Sequence, residues 1–362
     1  RMCTQRSFQR HERLENRKFG QRDHRMDKSR CDGVRNCMQS ALMRFLKRAL
    51  WLCTALLVMS WVGVTIWAYW PYPSEQAVTA LAEKEDRFVS VDGLTLRYRE
   101  WGSKQADRAS LLLIHGFGNS LQSFRTLAPL LAQTHHVIAI DMIGYGLSEK
   151  PINYDYHNGP QALMLMRAAH QLGLDHIVYV GHSLGGAVAL QAVVQDERAG
   201  GLVLLNPGII STGVPKIAQV TLPPLPRMSA KLFASREFRS RFLKKSYVNP
   251  EIVTEQVIDD VMLAAQSEGY MRGTTSLMTQ YREGEEIALA TNVKVPVLIP
   301  WGDQDRNKPL QEATELQALL PGSTLVRFSN AGHYVHEEAP TEVAQAIVDW
   351  LNRSALVSAK SK

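Results

Sequence analysis

A serine at position 183 stands in Gly181-His182-Ser183-Leu184-Gly185-Gly186, directly after the apolar, β-branched run 177–180. A run that halts at glycine, offers one hydroxyl and continues into the small and apolar residues 184–195 reads as strand, sharp turn and helix. At the tip of such a turn the hydroxyl is exposed. The flanking glycines leave room where a Cβ would collide with the adjoining strand or helix. That hydroxyl becomes a nucleophile only if a base removes its proton, and the chain supplies candidates downstream. Trp301-Gly302-Asp303-Gln304-Asp305 ends one predicted strand, and Gly332-His333-Tyr334-Val335-His336-Glu337 follows another. An imidazole can take the proton near neutral pH, and a buried carboxylate can fix its tautomer and stabilise the imidazolium. Serine, acid and histidine, each at a strand end, are the parts of an acyl-transfer relay.

Such a relay also needs donors for a developing oxyanion. His115-Gly116-Phe117-Gly118 follows the apolar run 110–114, and its glycines let backbone approach a substrate carbonyl. The N–H of Phe117 and that of Leu184, at the positive start of a helix, are the expected pair.

The elements that must position these groups are legible from periodicity. Residues 87–91 and 94–101 alternate apolar and polar side chains around Asp92-Gly93, a hairpin signal. Continuous apolar runs at 110–114, 136–140, 177–180, 202–205, 295–300 and 324–328 read as buried strands. Helical patterns occupy 120–132, 160–172, 184–195, 309–320 and 340–352. Alternating buried strands and helices imply an α/β fold, a mostly parallel sheet with helices on both faces. From 209 to 290 no strand is expected, only proline-rich turns and amphipathic helices, which reads as a helical cap over the sheet ends where ligands bind.

The N-terminal part differs in kind. The net charge is +6, yet residues 1–48 alone carry +9 and the remainder carries −3, so the folded part is not a nucleic-acid binder. Residues 1–48 read as a basic, disordered segment. The stretch before Met38 or Met43 reads as leader sequence or as foreign to the native protein, and no function is assigned to it. Residues 49–70 hold no charged side chain and would extend about 33 Å as a helix, enough to span a hydrocarbon core of about 30 Å. With no small-x-small site until Ala80-Leu81-Ala82, an uncleaved anchor is favoured over a secretory signal removed from the mature protein. Arg44, Lys47 and Arg48 precede the span and Glu75, Glu83, Glu85 and Asp86 follow it. The catalytic domain therefore belongs on the non-cytoplasmic side, the periplasm in a bacterium. Cys3, Cys31, Cys37 and Cys53 all lie before or within the span.

Residues 71–86 then form a linker, 87–208 and 291–355 the core, 209–290 the cap and 356–362 a C-terminal tail. This chain resembles the α/β-hydrolase family over roughly residues 87–355, on five motifs. They are HGFG at 115–118, the loop Asp141-Met142-Ile143-Gly144-Tyr145-Gly146-Leu147-Ser148, GHSLGG at 181–186, WGDQD at 301–305 followed by Pro309, and GHYVHEEAP at 332–340. The resemblance implies an eight-stranded sheet, Asp305 as the acid with Asp303 as runner-up, and His333 as the base. It makes His182, His336 and the 141–148 loop structural. Relatives that open epoxides or remove halogen carry aspartate at the turn, so Ser183 argues against both chemistries. The anchor together with GHSLGG is similar to membrane-anchored monoacylglycerol lipases. The expected activity is hydrolysis of a small apolar carboxylic ester through an acyl-enzyme on Ser183, with no metal and no organic cofactor. Carbon–carbon bond or lactone hydrolysis on the same triad is the alternative, and a non-catalytic binding module ranks below both.

Overall fold

The computed structural model describes residues 5–72, 75–212, 220–280 and 286–354, with side chains from Asp32 onward; the expected tail 356–362 lies outside them. The chain divides into an N-terminal unit, residues 1–67, and a unit of residues 68–362. Helix α1 (Gln5–Tyr69) accounts for the first. It runs through the basic stretch expected to be disordered, whose Arg, Lys, Glu and Gln are good helix formers. Its Asp32–Tyr69 part is long and apolar enough to cross a membrane, by length and composition.

In the second unit the described residues form eight strands: β1 (Arg87–Val91), β2 (Leu94–Trp101), β3 (Ser110–Ile114), β4 (Val137–Ile140), β5 (Ile177–His182), β6 (Ala199–Leu205), β7 (Val297–Gly302) and β8 (Thr324–Phe328). They form one sheet in the order β1-β2-β4-β3-β5-β6-β7-β8. Only the β1–β2 hairpin and the β2–β4 pair are antiparallel; the other ladders are parallel. Because successive side chains of a strand point to opposite faces, β3 divides its leucines. Leu112 and Ile114 enter the cluster under α4 (Asn158–Gln171), α5 (Leu184–Gln195) and α11 (Leu310–Leu319). Leu111 and Leu113 enter the cluster under α3 (Leu127–Leu131) and α13 (Pro340–Arg353). Both faces are covered, which is why the parallel strands read as unbroken apolar runs.

The single helix expected over 120–132 is instead a 3-10 turn at Leu121–Phe124 followed by α3. Pro129 has no N–H to offer the carbonyl of Arg125, and its ring crowds that group, so one helix cannot run through. Short helices α2 (Val78–Leu81) and α12 (Val335–Glu338) precede β1 and α13 respectively.

Helices α6 (Leu225–Phe233), α7 (Arg236–Ser246), α8 (Glu255–Gln266) and α9 (Tyr270–Gln280) make the cap around a core of its own. Ser235 and Thr254 cap α7 and α8 by accepting backbone N–H bonds. α10 (Glu286–Ala290), inside the stretch expected as cap, packs on the main core: Ala290 joins the α4–α5 cluster, and Glu286 accepts from Asn158 at 2.8 Å and Gln191 at 3.2 Å.

Residues 71–86, expected as a linker, are folded onto the domain wherever they are described. Tyr72 Oη donates to the carbonyl of Ala234 at 2.7 Å. Glu75 accepts from the N–H groups of Gly269 at 2.6 Å and Met271 at 3.0 Å, and Gln76 bonds the backbone of Gln266 and Glu268. Asp86 is buried between Arg97 and Arg99 at 2.8 and 2.6 Å.

The glycines of the turn between β5 and α5 have no spare volume beside them. A Cβ on Gly185 would press into the carbonyls of Ile114 and His115. Gly185→Ala is expected to cost about 2–4 kcal/mol, read as a lower urea midpoint. Gly159→Ala in α4, whose Cβ would find its nearest neighbour at 4.0 Å, should be neutral or slightly stabilising in the same assay.

Candidate active site

Ser183 is held at φ 52° and ψ −118°, in the left-handed region where a residue with a Cβ is strained. Backbone bonds on each side hold it there: Ser183 N donates to Leu205 O at 3.1 Å, and its carbonyl accepts from Gly186 at 2.9 Å and Gly208 at 2.8 Å. Leu184 begins α5, so its N–H has no acceptor within the helix. The 115–118 loop abuts the serine, since a Cβ on Gly116 would lie 3.1 Å from Ser183 Cβ. Phe117 and Leu184, the expected oxyanion donors, thus belong to two backbone segments that meet at Ser183.

His333 Nε2 lies 3.1 Å from Ser183 Oγ, and His333 Nδ1 lies 2.7 Å from Asp305 Oδ2. Burial opposes ionisation of Asp305. The His333 imidazole and the N–H groups of Asn307 and Lys308, at 2.8 and 3.0 Å, outweigh it and hold the carboxyl below its usual range. Asp303 turns the other way, into a paired contact with Arg327 at 2.9 and 3.0 Å. Three residues separated by up to 150 positions therefore form one continuous hydrogen-bonded line. In such a line a proton can leave the hydroxyl for Nε2 while the carboxylate steadies the Nδ1–H.

Further residues support this line, and one of them, Asn206, escaped the sequence. Asn206, fully buried at φ 40°, donates to Asp305 Oδ2 at 2.9 Å and accepts from Gly302 N at 3.0 Å, tying the ends of β6 and β7 to the acid. Its position in Leu205-Asn206-Pro207-Gly208, at a strand end before a turn, was the available signal. Glu338 accepts from Gly332 N at 2.9 Å and Val248 N at 2.7 Å and so anchors the loop that carries His333. Asp141 accepts from Leu121 N at 2.6 Å and Leu147 N at 2.8 Å, the scaffolding expected of its loop.

Three other histidines, His115, His182 and His336, are packed into the wall. His182 Nε2 donates to the carbonyl of His333 at 2.9 Å, leaving its Nδ1 without a partner among the described residues, and His336 Nε2 lies 2.8 Å from Ser123 Oγ. His115 bridges Gly116 O at 2.8 Å and Met142 N at 3.2 Å. Burial lowers the pKa of all three, His336 to about 3. Among the described residues no cluster of His, Cys, Asp or Glu is arranged to hold a metal ion.

Ser183 opens on a cavity of about 360 Å³. Phe117, Phe233, Phe238, Phe242, Met278 and Tyr334 give it an aromatic and apolar lining, all but Phe117 and Tyr334 from the cap. Lys308 at its edge is buried but occupied, bonded to the carbonyl of Ser211 and lying 3.7 Å from Glu312.

The sequence model of the alpha/beta hydrolase fold matches residues 109–340. The chain belongs to the α/β-hydrolase family. An uncharacterised hydrolase of Bacillus subtilis, YugF, is 30% identical over 268 residues, which are 73% of this chain and 97% of that protein. The chain is also similar to 2-hydroxy-6-oxo-6-(2'-aminophenyl)hexa-2,4-dienoic acid hydrolase of Metapseudomonas resinovorans, at 27% identity over 78% of this chain and 95% of that one. Lipase 1 of Psychrobacter immobilis is 28% identical over 65% of this chain and 74% of its own length.

The buried histidines give the domain an acid-side instability. Their folded pKa values lie below the unfolded value near 6.5, so the unfolded chain takes up protons first as the pH falls. Stability is full above about pH 6.5 and declines below it, by roughly 1.4 kcal/mol per pH unit for each histidine that stays neutral in the fold. Urea titrations from pH 7 to 4.5 should show that decline; a flat profile would refute the account.

Proposed function

We propose that this α/β-hydrolase cleaves carboxylic esters with an apolar acyl or alcohol part, through an acyl-enzyme on Ser183. The observation that carries this reading is the Ser183–His333–Asp305 line at 3.1 and 2.7 Å, open to an aromatic cavity. Ser183 Oγ adds to the ester carbonyl carbon while His333 Nε2 takes the hydroxyl proton. The carbonyl oxygen becomes an oxyanion facing the N–H groups of Phe117 and Leu184. Collapse breaks the acyl–oxygen bond, and His333 returns its proton to the departing alcohol. Water, deprotonated by the same imidazole, then releases the acid and restores Ser183. Asp305 keeps Nδ1 protonated throughout.

Carbon–carbon hydrolysis of a vinylogous diketone acid is the second reading, favoured by the likeness to the Metapseudomonas enzyme. With p-nitrophenyl esters of graded chain length beside such a diketone, Ser183→Ala should lower kcat for the esters by roughly 10⁴–10⁶-fold and abolish fluorophosphonate labelling. Asp305→Asn should lower it about 10⁴-fold, and Asp303→Asn should leave it near the parent value. Turnover of the diketone alone would replace the ester reading with the second.

We also infer that residues 49–70 are an uncleaved anchor, with the catalytic domain outside the cytoplasm. Cleavage near Ala82 would strip the contacts that Tyr72, Glu75 and Gln76 make with the cap, which favours retention. The protein should resist extraction from membranes by alkaline carbonate and keep its N-terminal helix; release, or a mature terminus near Ala82, overturns the anchor.

A further inference from the structure

Arg239 of α7 is 4% exposed, and no carboxylate oxygen among the described residues lies within 4 Å of its guanidinium. A buried cation without a counter-ion is costly, and burial lowers its pKa accordingly. Its side-chain contacts explain where it is aimed. Nη2 donates to the carbonyl of Gly118, one residue past the expected oxyanion donor Phe117. The guanidinium also stacks 5.1 Å from the centre of the Phe233 ring, and Phe233 meets the Phe117 ring edge to face at 5.7 Å. Residues of two cap helices thus hold the Phe117–Gly118 step, Phe233 at the Phe117 ring and Arg239 at the Gly118 carbonyl. Gly118 is fitted to that grip: its φ is +65°, and a Cβ there would stand 2.7 Å from Arg239 Nη1.

We propose that Arg239 is a positioning residue that latches the cap to the oxyanion loop, so that the Phe117 N–H is correctly aimed only when the cap is seated. The proposal rests on the ester-hydrolase reading above. The peptide plane that carries the Gly118 carbonyl also carries the Asn119 N–H, which donates to Gly116 O at 3.2 Å, and Gly116 O shares its own rigid plane with the Phe117 N–H; holding the Gly118 carbonyl therefore limits rotation of the unit that carries the Phe117 N–H. Small errors in the aim of such a donor are expensive in rate, because it acts on charge that develops in the transition state.

The test uses the full-length protein in detergent, with active sites counted by the endpoint of fluorophosphonate labelling so that misfolded molecules drop out. Arg239→Met should lower kcat per active site for a p-nitrophenyl ester by roughly 10- to 100-fold. KM should stay within about threefold, and the rate of labelling should fall in parallel with kcat, since both reactions use the same hole. The melting temperature should hold or rise, because an uncompensated buried charge is removed. Arg239→Lys, which keeps the charge and a donor, should recover part of kcat. An unchanged kcat, a rise in KM alone, or a kcat no better in Arg239→Lys than in Arg239→Met would each overturn the latch. A parent protein that neither hydrolyses esters nor takes up the probe would sink both the latch and the reading beneath it. An active parent with an unaffected Arg239→Met sinks the latch alone.

Discussion

The site depends on one strained residue. Ser183 occupies a left-handed conformation that costs a side-chain-bearing residue of order 1–3 kcal/mol, and it persists because its surroundings permit no other. Its N–H is committed to Leu205 and its carbonyl to Gly186 and Gly208. The positions around it are glycine because Ile114, Pro207 and the first turn of α5 already fill the space a Cβ would need. The constraint aims the hydroxyl away from the sheet and starts α5 immediately behind it. Hydroxyl and helix N-terminus therefore share a location for one steric reason.

The polar groups gathered around Ser183 arrive from strand ends. β3 leads to the 115–118 loop, β6 to Asn206, β7 to Asp305, and the chain after β8 to His333. A parallel sheet brings such ends to one rim, and the loops there are free to carry polar groups because the strands bury the apolar ones. The polar groups at that rim are themselves buried, so each is bound to others. Asp305 accepts from His333, Asn206 and two backbone N–H groups, and the loop bearing His333 is tied down by Glu338. Such satisfaction keeps a buried carboxylate charged. The packed histidines solve the same problem by staying neutral.

The cap obeys a different rule. Its helices close on their own apolar cluster, while Phe233, Phe238, Phe242 and Met278 face the cavity over Ser183. The stretch from Tyr72 to Gln76 is bonded to those same helices wherever it is described. The residues leaving the apolar helix are thereby part of the cap's framework, and they are continuous with the chain that encloses the cavity.

The sequence by itself determined the strand pattern, the turn at Ser183 and the alternation that makes the sheet parallel. Those depend on local properties: runs of apolar residues, glycines at a tight turn, a hairpin dipeptide. It also set out Ser183 and His333 as partners, because residue type and strand-end position travel together in this family. Tertiary structure decided what depends on distance in space. It turned Asp305 to His333 and Asp303 to Arg327, although the two aspartates sit two positions apart. It brought Arg239 to the site from a segment with no distinguishing pattern and gave Asn206, at a strand end, its partner; it also moved α10 from the cap to the core and folded the expected linker onto the domain. Periodicity reports which face of an element is apolar; only packing settles which buried polar group finds which partner, since a desolvated donor or acceptor must be satisfied by whatever the fold places beside it.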